Sequence, residues 1–92
     1  MFYKANAYTL LGVIKLKQNE LELAKTLFKQ AADLEHGKNR LKGAAVDFNN
    51  LAEIAFREGN NDVAEMYLKQ AVTYAEQVGE KELAASLKAK LK

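Results

Sequence analysis

The chain has 92 residues, of which 49% are apolar and 28% are charged, and 14 basic against 12 acidic residues leave a net charge of +2. This length accommodates one small domain, and the balanced charge gives no electrostatic argument for a nucleic-acid partner. The sequence has no cysteine, which excludes a disulfide framework and thiolate chemistry. We expect a cytoplasmic protein, because a reducing compartment fits this composition and no segment is typical of a signal peptide or a membrane span.

Five helical segments are predicted, because Ala, Leu, Lys, Glu and Gln dominate and proline is absent. Their approximate bounds are 2–17, 21–35, 40–58, 62–78 and 80–91. Asn19 is expected to cap the second segment, and Gly37 is expected to end it in a left-handed conformation. Gly59 and Asn60 are typical of the turn between paired helices.

Each segment carries an apolar stripe at helical spacing, which we expect to face the core. The predicted stripes are Tyr8, Leu11 and Ile14, widened by Leu10 and Val13, in the first segment; Leu23, Ala24, Leu27, Phe28, Ala31 and Leu34 in the second; Phe48, Leu51, Ile54 and Ala55 in the third; Val63, Ala64, Tyr67, Leu68, Ala71, Tyr74 and Ala75 in the fourth; and Leu83, Ala84, Leu87 and Leu91 in the fifth. His36 is the only histidine and is expected in a loop without a second ligand nearby, so no metal site is predicted.

The most informative feature is an internal repeat with an offset of forty residues. Two patterns return at this offset: Tyr8-x2-Leu11-Gly12 as Phe48-x2-Leu51-Ala52, and Ala24-x3-Phe28-x2-Ala31 as Ala64-x3-Leu68-x2-Ala71. The last segment repeats Ala44 and Ala45 as Ala84 and Ala85, which indicates the start of a third unit. Small residues at fixed places let paired helices approach closely, and the large residues fill the remaining space.

These residues resemble the tetratricopeptide repeat, whose pattern is aromatic-x2-Leu-Gly-x2-Tyr followed by Ala-x3-Phe-x2-Ala. The resemblance implies an all-α fold of antiparallel helix-turn-helix repeats, an α-solenoid, in a single domain. The implied division is repeat one at 1–39, repeat two at 40–79 and a capping or truncated helix at 80–92. The forty-residue period is similar to that of kinesin light chain and of bacterial peptide-sensing regulators.

The resemblance also implies a binding surface, since the first helix of each pair lines the concave face in this family. The residues expected there are Asn6, Thr9, Val13 and Lys17 from the first repeat and Asn49, Asn50, Glu53 and Arg57 from the second.

Asn49 and Asn50 stand out in this set, because asparagine is unfavourable inside a helix and its amide offers a donor and an acceptor to a peptide backbone. The alternative is that Asn50 makes a polar contact between helices and Asn49 is solvated. Lys17 and Arg57 are either solvated cations at helix ends or partners of an acidic ligand.

The sequence therefore favours a non-catalytic module that binds a peptide or protein segment, without indicating which. The alternative is a self-associating scaffold unit, or a natural or engineered fragment of a longer array, because repeat proteins usually need about three repeats. Dimers would form through exposed terminal helices, where Phe2, Leu10 and Val13 have no preceding repeat over them. No enzyme motif is present, and no cofactor, nucleic-acid partner or membrane is expected.

Overall fold

The computed structural model describes residues 4–37 and 40–91, the side chains of 4–6 excepted, as five α-helices joined by short turns. The helices are α1 (Lys4–Lys17), α2 (Leu21–Gly37), α3 (Leu41–Arg57), α4 (Asn61–Gln77) and α5 (Lys81–Lys88). Each helix packs against the next one along the chain. These residues contain no strand, and the predicted all-α solenoid of helix-turn-helix repeats is confirmed.

The ends of α1, α3 and α4 share one backbone arrangement. Asn19, Gly59 and Gly79 take left-handed conformations, with φ of 62°, 77° and 75°. The amide of each following residue then donates to the carbonyl five residues back, at 2.8–2.9 Å, from Glu20 to Lys15, Asn60 to Ala55 and Glu80 to Ala75. This Schellman motif gives partners to carbonyls at a helix end. The prediction that Asn19 caps α2 is therefore wrong, because its left-handed backbone ends α1 instead.

Other helix boundaries in the structure differ from the predicted ones by a few residues. Gly37 is the last residue of α2 and is not left-handed, contrary to prediction. His36 lies in the last turn of α2, not in a loop, with its ring edge-on to Tyr74 at a centroid distance of 5.8 Å. Asn60 occupies the N-cap position of α4 but makes no cap hydrogen bond through its side chain. The predicted start of the first helix at Phe2 lies outside the described residues.

The buried core has two parts. One lies between α3, α4 and α5, where alanines surround Leu68 and Leu87. The other joins the two helix pairs and consists of Leu16, Ala24, Phe28, Leu51 and Ile54. The second cluster shows what holds consecutive repeats together, since Leu51 and Ile54 of α3 pack on residues of α1 and α2.

The stripe predicted for α1 is wrong at Leu11 and Ile14, and also at Leu10, which was expected to widen it and is 55% exposed. Leu11 and Ile14 are 45% and 41% exposed, whereas their forty-residue equivalents Leu51 and Ile54 are 2% and 0% exposed. The physical reason is position in the array. This face of α3 rests on the preceding helix pair, and none of the described elements covers the same face of α1.

Two further burial predictions are corrected. Leu23 of α2 is exposed rather than buried. Val13, which the self-association alternative leaves uncovered, is half-buried against the cluster around Phe28. The same alternative leaves Leu10 uncovered, and Leu10 is exposed.

Candidate functional site

A groove of about 770 Å³ lies between α1 and the beginning of α3. Its aliphatic walls are formed by Leu10, Val13, Leu41, Val46 and Val78, and its other lining residues are Thr9, Glu35, Arg40, Lys42 and Gly43. We call this surface the α1–α3 groove. Its volume falls within the range of about 300–1,000 Å³ that is usual for ligand sites, and an apolar wall with few polar groups is typical of them.

Two buried carboxylates lie at or near this groove. Glu35 of α2 lines it and is only 4% exposed, whereas Asp47 of α3 is 1% exposed, does not line the groove and interacts electrostatically with Glu35. The hydroxyl of Thr9 on α1 donates a hydrogen bond of 2.7 Å to Oδ1 of Asp47. The second oxygen of Asp47, Oδ2, is buried without a hydrogen-bond partner. Three helices thus bring polar groups together, and we call Glu35 and Asp47 the acidic pair.

The environment of Asp47 changes its protonation. Burial, the main cause, raises the pKa of Asp47 from 3.8 to about 7, the hydrogen bond from Thr9 lowers this pKa, and the charge of Glu35 raises it. Burial and a nearby like charge both disfavour the ionised form of a carboxyl group. The carboxyl group of Asp47 therefore changes between its protonated and ionised forms near neutral pH.

Gly43 provides the space for the acidic pair. A Cβ atom at this position would lie 2.6 Å from Cδ of Glu35, closer than packing allows. Lys42, beside it, forms an ion pair with Glu80 at 3.5 Å. Because Gly43 has no side chain, the first turn of α3 leaves room for the carboxylate of Glu35.

The described residues form two equivalent contacts between consecutive repeat units, α2 with α3 and α4 with α5. Only the α2–α3 contact contains the acidic pair. At the forty-residue offset, the residues equivalent to Glu35, Gly43 and Asp47 are Ala75, Leu83 and Leu87. The α4–α5 contact is accordingly apolar, with Leu87 buried where α3 has Asp47. An acid and a glycine in one interface correspond to an alanine and a leucine in the other.

The structure divides the eight residues predicted for the concave face. Thr9 and Val13 line the α1–α3 groove. Lys17 is exposed at the end of α1, and Asn50 is half-buried on α3. The side chain of Asn6 lies outside the described part of the chain.

Asn49 and Glu53 line a second, smaller depression of about 250 Å³, and Arg57, the last predicted residue, is not among its lining residues. Lys90 donates to Oδ1 of Asn49 at 2.9 Å. Arg57 pairs with Glu53 at 2.7 Å and donates to the carbonyl of Leu16 at 3.4 Å, which ties α3 to the end of α1. These side chains are thus engaged within the chain.

Glu35 and Asp47 are missing from the sequence-based site. The available signal was the position of Asp47, three residues after Ala44 and four before Leu51, on the buried side of α3. An acidic residue at that spacing is unusual unless it is paired. Glu35 offered no comparable signal, because it lies near the end of its helix.

The described residues contain no group of three or more His, Cys, Asp or Glu side chains placed to hold a metal ion. None of the helices described is long and apolar enough to cross a bilayer.

The helix pairs correspond to a known family. Residues 5–35 and 48–78 match the profile of the tetratricopeptide repeat. No curated protein and no solved structure matches the chain. Repeats of this family generally mediate protein–protein interactions and serve as non-catalytic interaction modules. The predicted family is confirmed by the two matches, which cover most of the sequence, and the chain belongs to the tetratricopeptide repeat family.

Proposed function

We propose that the chain binds a peptide or protein segment in the α1–α3 groove. The observation that carries this proposal is the groove itself, in which aliphatic side chains from α1, α3 and the end of α4 surround a small polar base. Such a surface favours an extended or helical segment with apolar side chains. Thr9 and Val13, two residues that the family resemblance placed on the binding face, lie in this groove.

The proposed role is non-catalytic, as is general for the family. The division into repeats at 1–39 and 40–79, followed by a last helix at 80–92, is part of the same proposal. So is a cytoplasmic location, with which the cysteine-free sequence is compatible.

The test is a selection from a phage-displayed random peptide library against the immobilised chain and against Val46→Arg. Val46 is exposed and lines the groove, so a long side chain there fills the groove and leaves the core unchanged. The matched control is Met66→Arg, which replaces an exposed apolar side chain of α4 outside the groove. Peptides retained by the control and lost by Val46→Arg support the proposal, and equal binding to both variants contradicts it.

The role of Asn49 is tested separately, because Lys90 already occupies its amide oxygen. If Asn49 holds the main chain of a bound peptide, Lys90→Ala frees the amide and raises the affinity. The variant Asn49→Ala/Asn50→Ala then lowers the affinity for the same peptide. If Asn49 serves only to hold Lys90, neither change alters peptide binding.

A second candidate function is self-association through the exposed side of α1. Leu11 and Ile14 are exposed there, although their equivalents in α3 are buried against another helix pair. A helix pair from a second copy would cover the same type of surface. Sedimentation velocity over a range of concentrations tests this, with Leu11→Glu/Ile14→Glu as the disrupting variant and Met66→Glu as its control. A monomer at every concentration contradicts self-association.

A further inference from the structure

The acidic pair at the base of the α1–α3 groove determines which segments the groove accepts. We propose that the groove selects partner segments in which one lysine or arginine stands among aliphatic residues, with its charged end directed to Glu35 and Asp47. This inference rests on the proposed function, since it names the chemistry of the segment bound in the same groove.

Glu35 is the residue that a bound cation would meet. It is 4% exposed and nevertheless lines the groove. Within the described part of the chain, its carboxylate takes part in no hydrogen bond and no ion pair. The first turn of α3 provides partial positive charge nearby, but a buried carboxylate without a full partner remains costly. A cation that enters from the groove supplies the missing partner.

Asp47, when it is ionised, adds a second negative charge that interacts with Glu35. Its Oδ2 is buried and unpaired, and its charge interacts unfavourably with that of Glu35. Two carboxylates in a region of low dielectric favour either a bound proton or a cation. A lysine or arginine at Glu35 would stabilise both charges and allow Asp47 to release its proton. Two carboxylates alone are a poor cage for a metal ion, which takes more protein ligands.

The charges around the groove restrict the ligand further. Arg40 and Lys42 line the α3 side and their positive charges disfavour additional cations, although neither side chain is without a partner and Lys42 is paired with Glu80. From α1 the groove receives Thr9 and aliphatic side chains, and from the end of α4 it receives Val78. On α2, His36 is directed to Tyr74 of α4. These surroundings favour one basic residue between aliphatic neighbours and disfavour a polybasic stretch.

The experiment is the same phage-displayed selection on four proteins: the parent chain, Glu35→Gln, Asp47→Asn and Glu65→Gln. The first two variants keep the shape of the acidic pair and remove one charge each. Glu65→Gln is the matched control, because Glu65 is an exposed carboxylate on α4 that lines neither the α1–α3 groove nor the depression beside Asn49. Circular dichroism and thermal unfolding establish that each variant is folded before selection.

We expect the parent and Glu65→Gln to enrich peptides with one basic residue among aliphatic residues. Glu35→Gln should keep the aliphatic preference and lose the basic one. A selected peptide resynthesised with norleucine in place of lysine, or with citrulline in place of arginine, should bind the parent about tenfold more weakly or worse, as is usual for loss of a charged partner. The same replacement should change binding to Glu35→Gln much less.

Four results would overturn the inference. If the enriched peptides lack a basic residue, the inference is wrong while the proposed function stands. The inference is also wrong if the basic preference survives in both Glu35→Gln and Asp47→Asn. Association of the chain with itself that is lost in Glu35→Gln would assign the acidic pair to a second copy. The absence of any enrichment on the parent would contradict both the inference and the proposed function.

Discussion

The carboxylate of Glu35 occupies the space that a side chain at position 43 would need. A Cβ atom on Gly43 would lie 2.6 Å from Cδ of Glu35. Forty residues later the sizes are reversed, with Ala75 in place of the acid and Leu83 in place of the glycine. The two repeat interfaces thus fill similar space with opposite combinations of large and small residues, which couples positions 35 and 43.

This coupling predicts that Gly43→Ala has different effects in two backgrounds. In Glu35→Ala, the new methyl group meets no carboxylate, and the helix preference of alanine should raise the free energy of unfolding by about 1 kcal/mol. In the parent, displacement of Glu35 should offset that gain, which gives a coupling of about 1 kcal/mol. Urea denaturation of the four proteins measures it. Gly37→Ala is the control, because a Cβ there meets no atom within 4 Å, and equal effects of Gly43→Ala in both backgrounds would refute the coupling.

The raised pKa of Asp47 predicts that the free energy of unfolding depends on pH. Its folded-state pKa is raised to about 7 from 3.8, so the folded chain binds this proton more tightly than the unfolded chain. The resulting stability is fully present below the unfolded pKa and is lost as the pH rises through the folded pKa.

The parent should therefore lose on the order of 2 kcal/mol of unfolding free energy between about pH 5 and about pH 8, relative to Asp47→Asn. Asparagine keeps an acceptor for Thr9 but does not titrate. Guanidinium chloride denaturation of both proteins at the two pH values isolates this contribution from that of other titrating groups. Identical pH dependence in parent and variant would show that Asp47 does not titrate in this range.

The contact of Gly12 with Phe28 predicts a compensating pair of substitutions. A Cβ atom on Gly12 would lie 2.8 Å from the ring of Phe28, which is fully buried and has no room to move. Gly12→Ala should destabilise the chain by about 1–3 kcal/mol, the usual cost of overpacking. The equivalent pair in the second repeat is Ala52 with Leu68.

The double variant Gly12→Ala/Phe28→Leu reproduces that second pair, so it should recover most of the stability lost by Gly12→Ala. Thermal unfolding of the single and double variants measures the recovery. Purely additive losses would show that the two positions do not share one space.

Equivalent leucines in the two repeats should differ in their contribution to stability. Leu51→Ala removes a buried side chain and should cost about 2–5 kcal/mol. Leu11→Ala changes an exposed side chain and should cost less than about 1 kcal/mol. Urea denaturation at low protein concentration compares them. A loss at Leu11 as large as that at Leu51 would mean that the exposed side of α1 is covered in solution.

Part of the candidate site was anticipated from the family resemblance. The resemblance placed Thr9 and Val13 on the expected binding face, and both line the α1–α3 groove. Asn49 looked available from its position in the helix, but the partner that occupies it, Lys90, lies forty-one residues away. Contacts at that separation depend on how helices stack, which local sequence patterns do not specify.

The sequence by itself determined the five helices, their order and the repeat, because helix preference, apolar spacing and left-handed turn residues act over a few residues of chain. Only the tertiary structure decided that Leu11 is exposed while Leu51 is buried, since the two have similar local surroundings and differ in whether a preceding helix pair lies over them. The tertiary structure alone also determines that Glu35 and Asp47 interact. Glu35 and Asp47 lie on different helices and interact only because α2 packs against α3, where burial gives their charges an importance that neither residue has in an isolated helix.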